Sequence, residues 1–401
     1  MNILQICSKS PWPPGEGGPI AMNNITQGLL KAGHNVKIFA ISTPKYAVKN
    51  HAIPDDYKKQ TGFDFVYINT NINAFDAFIN LFSKKSYNIE RFVSNEANKK
   101  INKILSENTF DVIQIEGLFV TPYIPVMRSC SKAKIILRAH NVEHLIWQRL
   151  AKSRKNSFKK YYLNLLAKKL RSYELKTMNE VDGIAAITPV DAETFLQLGC
   201  KCPIISIPVG VESGKLFTEK TNREFPGFFH LGSMDWMPNQ EGIKWFLENV
   251  WNVFHKKFPQ YTFLLAGRNM PEWINEDTYK GIRILGEVSN AYEFMQSKTV
   301  MIVPLLSGSG MRVKIIEGMA SGNTIITSTV GAEGIHCQNG KNILIANSAG
   351  EWIDCLIKCI ENPDICTTIG NNAVTLVKEE YDNNVITQKL VEFYQSLSAT
   401  L

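Results

Sequence analysis

A chain of 401 residues exceeds what one hydrophobic core of ordinary size serves, so two domains are expected. Its 44% hydrophobic and 20% charged composition excludes a disordered chain, and no apolar run is long enough to cross a bilayer as a helix. The net charge of +7 is uneven: residues 1–200 carry 27 Lys/Arg against 16 Asp/Glu, and residues 201–401 carry 17 against 21. The basic half points to anionic partners such as a membrane surface or phosphorylated lipid rather than nucleic acid.

"MNILQIC" reads as a buried first strand and runs into "SKSPWPP" after seven residues. That is too short for a signal-peptide core and has no basic leader, so the expected compartment is the cytoplasm. A helix from about Pro19 to Lys31 follows, stopped at Gly33, and "NVKIFAI" gives a second strand. Chain order β-α-β opens the molecule. "FDVIQIEG", "AKIILRAHN", "VDGIAAITP" and "CPIISIPVG" continue as apolar strands ending in polar residues, the pattern of a parallel sheet wrapped by helices.

Between them, Glu143 to Asn179 reads as helical and basic, with nine Lys/Arg in 152–176 beside Tyr161, Tyr162, Leu163, Leu165 and Leu166. It reads first as a solvated helix with one apolar stripe on the sheet; the same charge suits a peripheral contact with an anionic membrane surface. Ile207–Phe217 reads as a linker, and a second α/β unit follows. Its strands are expected in "FFHLGSMDWMPN", "YTFLLAG", "IRILGEV", "TVMIVPLL" and "NTIITST", and "NNVITQKLVEFYQSL" is a final helix. Boundaries fall at 1–208, 209–380 and a 381–401 helix packing back towards the first domain. Two doubly wound, Rossmann-like α/β domains are expected, facing each other across a cleft at the carboxyl ends of their strands.

Eight cysteines lie at 7, 130, 200, 202, 337, 355, 359 and 366. None has zinc spacing, and all are expected reduced. No D-x-D motif is present, and no metal is expected.

The densest chemistry lies in "LLSGSGMRVKIIEGMASGNTIITST", Leu305–Thr329. An apolar strand runs into Gly-Ser-Gly, and Met311 to Ala320 reads as a helix stopped by Gly322. A helix start after a glycine turn offers free N–H groups and the positive end of the dipole, where anions sit. Arg312 and Lys314 add two cations, which match a diphosphate. Glu317 shares a face with Lys314 and can accept from sugar hydroxyls; spacing alone leaves a surface ion pair as the alternative.

This stretch resembles the donor-binding signature of the retaining glycosyltransferases of family 4, which have the GT-B fold. The pattern G-x-G-x-R-x-K-x-x-E-x-M-A-x-G is supplied by Gly308, Gly310, Arg312, Lys314, Glu317, Met319, Ala320 and Gly322. The resemblance implies that Glu317 binds the nucleotide ribose and that the basic residues hold the diphosphate. "PWPPGEGGPIAMNNITQGLLKAGHNV" is similar to the family's amino-terminal signature, where Gly17 and Gly18 let backbone approach donor phosphates or acceptor. "RAHNVEHLIWQ" is similar to an H-N-x-E segment, which implies that His140 contacts the transferred sugar. "FFHLGSMDWMPN" is similar to the start of the second domain, with Gly232 and Ser233 near phosphate, Asn239 as a helix cap and Trp236 packing or touching ligand. "IRILGEV" is similar to the strand end whose backbone, from Gly286 through Glu287 to Val288, reads the nucleobase.

Three departures stand out. The Glu that the family often has eight residues before Glu317 is Ser309, so backbone N–H groups of Gly310 and Met311 would serve the donor sugar. "GSMDWMPN" holds none of the cations common there, leaving the diphosphate to Arg312 and Lys314, with Arg268 in "LLAGRN" as a further candidate. Val209 stands where an Asn is common. The implied activity is metal-independent, retaining transfer of a hexose from a UDP- or GDP-sugar to a hydroxyl of a glycan or lipid-linked acceptor, in bacterial surface polysaccharide synthesis. No cofactor is implied. A dehydrogenase needs G-x-G-x-x-G after the first strand, where "SKSPWPPGEGG" does not fit. A non-catalytic nucleotide-sugar binder of the same fold is the alternative.

Overall fold

A computed structural model of the chain describes residues 1–15, 17–152, 154, 156–212, 223–308 and 310–398. The chain divides into two compact units, Met1–Pro208 with the segment from Ile386 onward, and Val209–Val385.

Unit 1 is built on a seven-stranded parallel sheet. Its strands are β1 (Asn2–Cys7), β2 (Asn35–Ser42), β3 (Asp64–Tyr67), β4 (Val112–Glu116), β5 (Lys134–Ala139), β6 (Gly183–Ala186) and β7 (Ile204–Ser206), in the order β3-β2-β1-β4-β5-β6-β7. Ile3 pairs with Val36 on one side and Val112 on the other. Helices cover both faces, so the central strands are mostly apolar: Ile3, Leu4, Ile6, Ile113, Ile115, Ile135 and Ile136 are all fully buried, and Gln5, Gln114, Glu116 and Arg138 are buried polar residues among them.

Unit 2 repeats the plan with six parallel strands: β8 (Phe228–Leu231), β9 (Phe263–Ala266), β10 (Ile282–Gly286), β11 (Val300–Val303), β12 (Thr324–Thr327) and β13 (Leu344–Ile345). Their order is β10-β9-β8-β11-β12-β13. In each sheet the winding reverses beside the first strand, between β1 and β4 and between β8 and β11. A doubly wound sheet binds ligands at the carboxyl ends of the strands flanking such a reversal.

Several expectations are corrected. The opening helix starts at Gly17, two residues before Pro19. The basic stretch is two helices, Glu143–Lys152 and Ser157–Thr177, and Asn156 starts the second by accepting the Lys159 N–H at 3.0 Å. The helix after the glycine turn starts at Val313, because Gly310 is left-handed (φ +79°) and Arg312 is still non-helical. β3 and β13 were not foreseen; both are edge strands, and β13 has only two residues. The Asn383–Ser398 helix buries Ile386, Leu390, Tyr394 and Leu397 in unit 1's core, and the Tyr394 hydroxyl bonds Gln114.

Candidate active site

In unit 2 the reversal point is flanked by two loops, one after β8 and one after β11. The first, from Gly232, lies against the turn after β9. A Cβ on Gly267 (φ +145°) would sit 1.8 Å from the Gly232 carbonyl oxygen, so only glycine permits this approach. The Ser233 hydroxyl lies 3.1 Å from an Asp235 oxygen that also accepts from Asn269 at 2.7 Å. Asn239 is not the cap expected of it. Trp236 holds that position at the Met237–Phe246 helix, and Asn239, inside the first turn, donates to the Ser233 carbonyl at 2.8 Å. Arg268 is exposed, and its carbonyl accepts from Met234 at 3.0 Å.

The second loop carries Gly308 (φ +128°) and Gly310 (φ +79°), both in the region that favours glycine. Ser309 lies outside the described residues. The Arg312 guanidinium donates from Nη1 to the Gly310 carbonyl at 2.8 Å and lies 4.9 Å from the centre of the Trp236 ring. A tryptophan of the first loop and an arginine of the second therefore meet at the reversal point. Met311 packs partly buried against the unit's core.

In the Val313–Ala320 helix, Ile315, Ile316, Met319 and Ala320 turn inward, and so does Glu317 at 5% exposure. Lys314 Nζ is 2.9 Å from Glu317 Oε2, and the Tyr292 hydroxyl donates to Oε1 at 3.3 Å. Burial and the Glu317 carboxylate push the Tyr292 phenol up, so it remains a donor. Gly286 (φ +65°) ends β10 with its carbonyl accepting from Gly267 at 2.7 Å. Glu287 and Val288 follow, with Val288 packed on the core.

In unit 1 the carboxyl ends of β1 to β5 enclose a cavity of about 740 Å3. Ser8 and Lys9 follow β1, Lys45 and Tyr46 follow β2, Gly117 follows β4, and His140 and Glu143 follow β5. Lys9 and Lys45 place their ammonium groups 4.6 and 5.1 Å from the Tyr46 ring centre, and Arg91 donates to the Thr70 carbonyl at 2.7 Å. Gly17 and Gly18 open the Gly17–Lys31 helix, and a Cβ on Gly18 would meet Lys9 Nζ at 2.6 Å.

His140 rests on Glu116, a fully buried carboxylate at the end of β4, with Nε2 to Oε2 at 2.6 Å. Arg138 Nε lies 3.7 Å from the same oxygen, and Gln5 and Gln114 donate to Oε1. Burial alone would raise the Glu116 pKa; the His140 hydrogen bond and charge, Arg138 and Gln5 outweigh it and hold the carboxyl below its ordinary range. An ionised carboxylate only accepts, so Nε2 of His140 carries the proton and Nδ1 is left as the acceptor in the neutral ring. Beside it, burial and the neighbouring Glu174 carboxylate push Glu143 up to about 7. Glu174 also accepts from the Glu143 and His144 N–H groups at 2.9 and 3.2 Å, fixing the start of the Glu143–Lys152 helix.

Sequence reasoning did not single out Glu116, Arg138 or Tyr292, and it quoted Glu143 as the acid of the H-N-x-E segment without giving it a role. A signal existed for the first two: each is a charged residue within an apolar run, near the carboxyl end of a strand in a doubly wound sheet.

Two family models match the chain: Glycosyltransferase Family 4 over residues 16–215, and Glycosyl transferases group 1 over 226–362. The chain belongs to glycosyltransferase family 4. This family 4 glycosyltransferase is 22% identical over 404 residues to an uncharacterized 44.6 kDa protein in the cps region of Klebsiella pneumoniae, covering 96% of this chain and 97% of the other. Its fold is that of HepE from Anabaena, solved with UDP (TM-score 0.67, 13% identity, 99% and 100% of the two chains covered). It is also that of sucrose-phosphate synthase from Thermosynechococcus elongatus (TM-score 0.71, 15% identity, 100% of both chains). These likenesses establish the GT-B fold with its two parallel-sheet, Rossmann-like domains. Among the described residues, no group of three or more His, Cys, Asp or Glu could hold a metal ion.

Proposed function

We propose that this glycosyltransferase moves a hexose from a nucleoside diphosphate, UDP or GDP, to an acceptor hydroxyl with retention of anomeric configuration and without a metal. Unit 2 is the donor side and unit 1 the acceptor side. The observation that carries the reading is the cluster after β11, where a glycine turn, Arg312, Lys314 and a buried Glu317 share the edge at which this sheet order binds ligands. The diphosphate lies on the N–H groups of Gly310 and Met311 and at the start of the Val313–Ala320 helix. Ser309 contributes to the donor sugar, Glu317 accepts from the ribose hydroxyls, and the base reads backbone at Glu287 and Val288. Gly232 and Ser233, with Arg268, approach the phosphates from the first loop.

As the bond from the anomeric carbon to the diphosphate oxygen breaks, negative charge grows on the leaving phosphate. Arg312 and Lys314 stabilise it from fixed positions. The acceptor oxygen bonds to the anomeric carbon on the same face, and its proton passes to the departing phosphate oxygen. His140, held by Glu116, positions the sugar. Gly17 and Gly18 let the acceptor or the donor phosphates approach the backbone.

We place the reaction in the cytoplasm, on a glycan or lipid-linked acceptor in surface polysaccharide synthesis, and the UDP complex of HepE supports a nucleotide donor. The test is incubation with UDP- and GDP-hexoses, with and without short glycans or extracted membrane lipids, in EDTA. Nucleotide released only with acceptor, and an unchanged anomeric configuration by NMR, support the reading. Ser309 in place of an acid favours a second reading, a nucleotide-sugar binder without turnover. Binding with no release under any acceptor would establish that one.

A further inference from the structure

The segment Ile72–Phe82 of unit 1 presents an unusual surface. Its helix, Ala74–Leu81, has only Ala77 and Asn80 withdrawn from solvent. Ile72, Phe75, Phe78, Ile79 and Phe82 are exposed, as are Phe158 and Tyr161 at the start of the Ser157–Thr177 helix, with exposures from 51% at Ile79 to 88% at Phe158. The two helices are joined. Lys169 donates to the Asn80 carbonyl and lies 3.4 Å from that of Leu81. Phe158 precedes Lys169 by three helical turns, within about 20° of the same direction, so it looks out on the same side. A patch of this kind on a soluble surface covers something.

The charge around it has one dominant sign. Lys84, Lys159 and Lys168 are exposed there, and Lys85 lies 3.0 Å from Glu90. Asp76 is the one acid of the Ala74–Leu81 helix. The patch also continues into the cavity, since Thr70, Asn71 and Ile72 line it and Asn73 then caps the helix.

We infer that the Ile72–Phe82 segment docks on an anionic lipid bilayer, with its phenylalanines in the acyl boundary and the lysines at the headgroups. The basic stretch 152–176 supplies charge, while most of the apolar wedge comes from a segment that sequence reading passed over. A second copy of the chain fits less well, because a two-fold interface would set these lysines against themselves. Docking here holds the rim of the unit 1 cavity at the bilayer, where an acceptor on a lipid would be presented. The inference does not depend on how the donor is bound.

The test uses the full chain with phosphatidylcholine vesicles, with and without phosphatidylglycerol, in a flotation assay. Binding is expected to phosphatidylglycerol vesicles and to weaken with added salt. The triple variant Phe75→Ser, Phe78→Ser, Phe82→Ser should lower the affinity about a hundredfold or more. Lys159→Gln with Lys168→Gln should lower it about tenfold to thirtyfold. All five side chains face solvent, and circular dichroism checks that the variants fold. Equal affinity for neutral vesicles, no binding to either, or a triple variant that binds like wild type overturns the inference. So does a dimer in solution that the triple variant makes monomeric.

Discussion

The two units share a sheet order and differ in how each arms the edge beside its reversal point. Unit 1 fixes its chemistry from beneath: His140 stands on a carboxylate at 0% exposure, which Arg138, Gln5 and Gln114 also hold. Unit 2 arms its edge from the surface, with two left-handed glycines, a guanidinium against an indole, and a half-exposed Lys314 on Glu317. A buried charge network keeps a side chain in one place at the cost of desolvation, so removing one member strands the others. A turn with surface cations costs little to alter and acts mainly through what it binds.

That contrast is open to direct attack. The largest effect is expected for Glu116→Ala, which leaves Arg138 buried without its carboxylate. Unit 1 should lose about 3–5 kcal/mol, read by hydrogen exchange in β4 and β5. Wild-type protection there would mean that the network is not what holds His140. Next comes Lys314→Ala. UDP affinity should fall by about tenfold to a hundredfold, while stability falls by about 1–2 kcal/mol, because Lys314 is half-exposed but its partner Glu317 is buried and keeps only the Tyr292 hydroxyl.

The third prediction concerns pH. Glu143 is held at about 7 in the folded protein, above the ordinary carboxyl value of 4.5. The folded chain therefore keeps a proton that the unfolded chain releases, and stability falls as pH rises through that window. Glu143→Gln cannot ionise. It should be more stable than wild type above the window, by on the order of 1–2 kcal/mol for a half-buried group, and the difference should vanish below about pH 4. Parallel stability curves for the two proteins would contradict the raised pKa. The smallest effect is expected for Tyr292→Phe, which removes a 3.3 Å bond to Glu317. It should cost about 1 kcal/mol or less in thermal unfolding, and a much larger loss would mean that the hydroxyl carries more than this contact.

Much of the fold was legible because buried parallel strands are written as continuous apolar runs: "MNILQIC", "FDVIQIEG" and "TVMIVPLL" each hold the expected strand. What escaped was short or nonlocal. β13 is too brief to carry a period, and β3, at a sheet edge, is only partly buried. The separate start of the Ser157–Thr177 helix is marked by the cap geometry of Asn156, which residue type alone does not reveal.

In the candidate site, the glycine turn and its cations were readable because they are contiguous in the chain. The support of His140 was not: Glu116 is 24 residues away and Gln5 is 111 residues from Glu116, and pairing of β1, β4 and β5 brings them together. Tyr292 reaches Glu317 across 25 residues in the same way. Asn239 shows the converse hazard. Its residue type suits a helix cap, yet its place inside the helix turns it to the Ser233 carbonyl.

The central claim is that unit 2 holds a nucleoside diphosphate through the turn after β11. Calorimetric titration of UDP and GDP into wild type, Lys314→Ala and His140→Ala tests it most directly. Wild type and His140→Ala should bind one of the nucleotides alike, and Lys314→Ala should bind it far more weakly. Undiminished binding by Lys314→Ala, with binding lost in His140→Ala, would contradict the account.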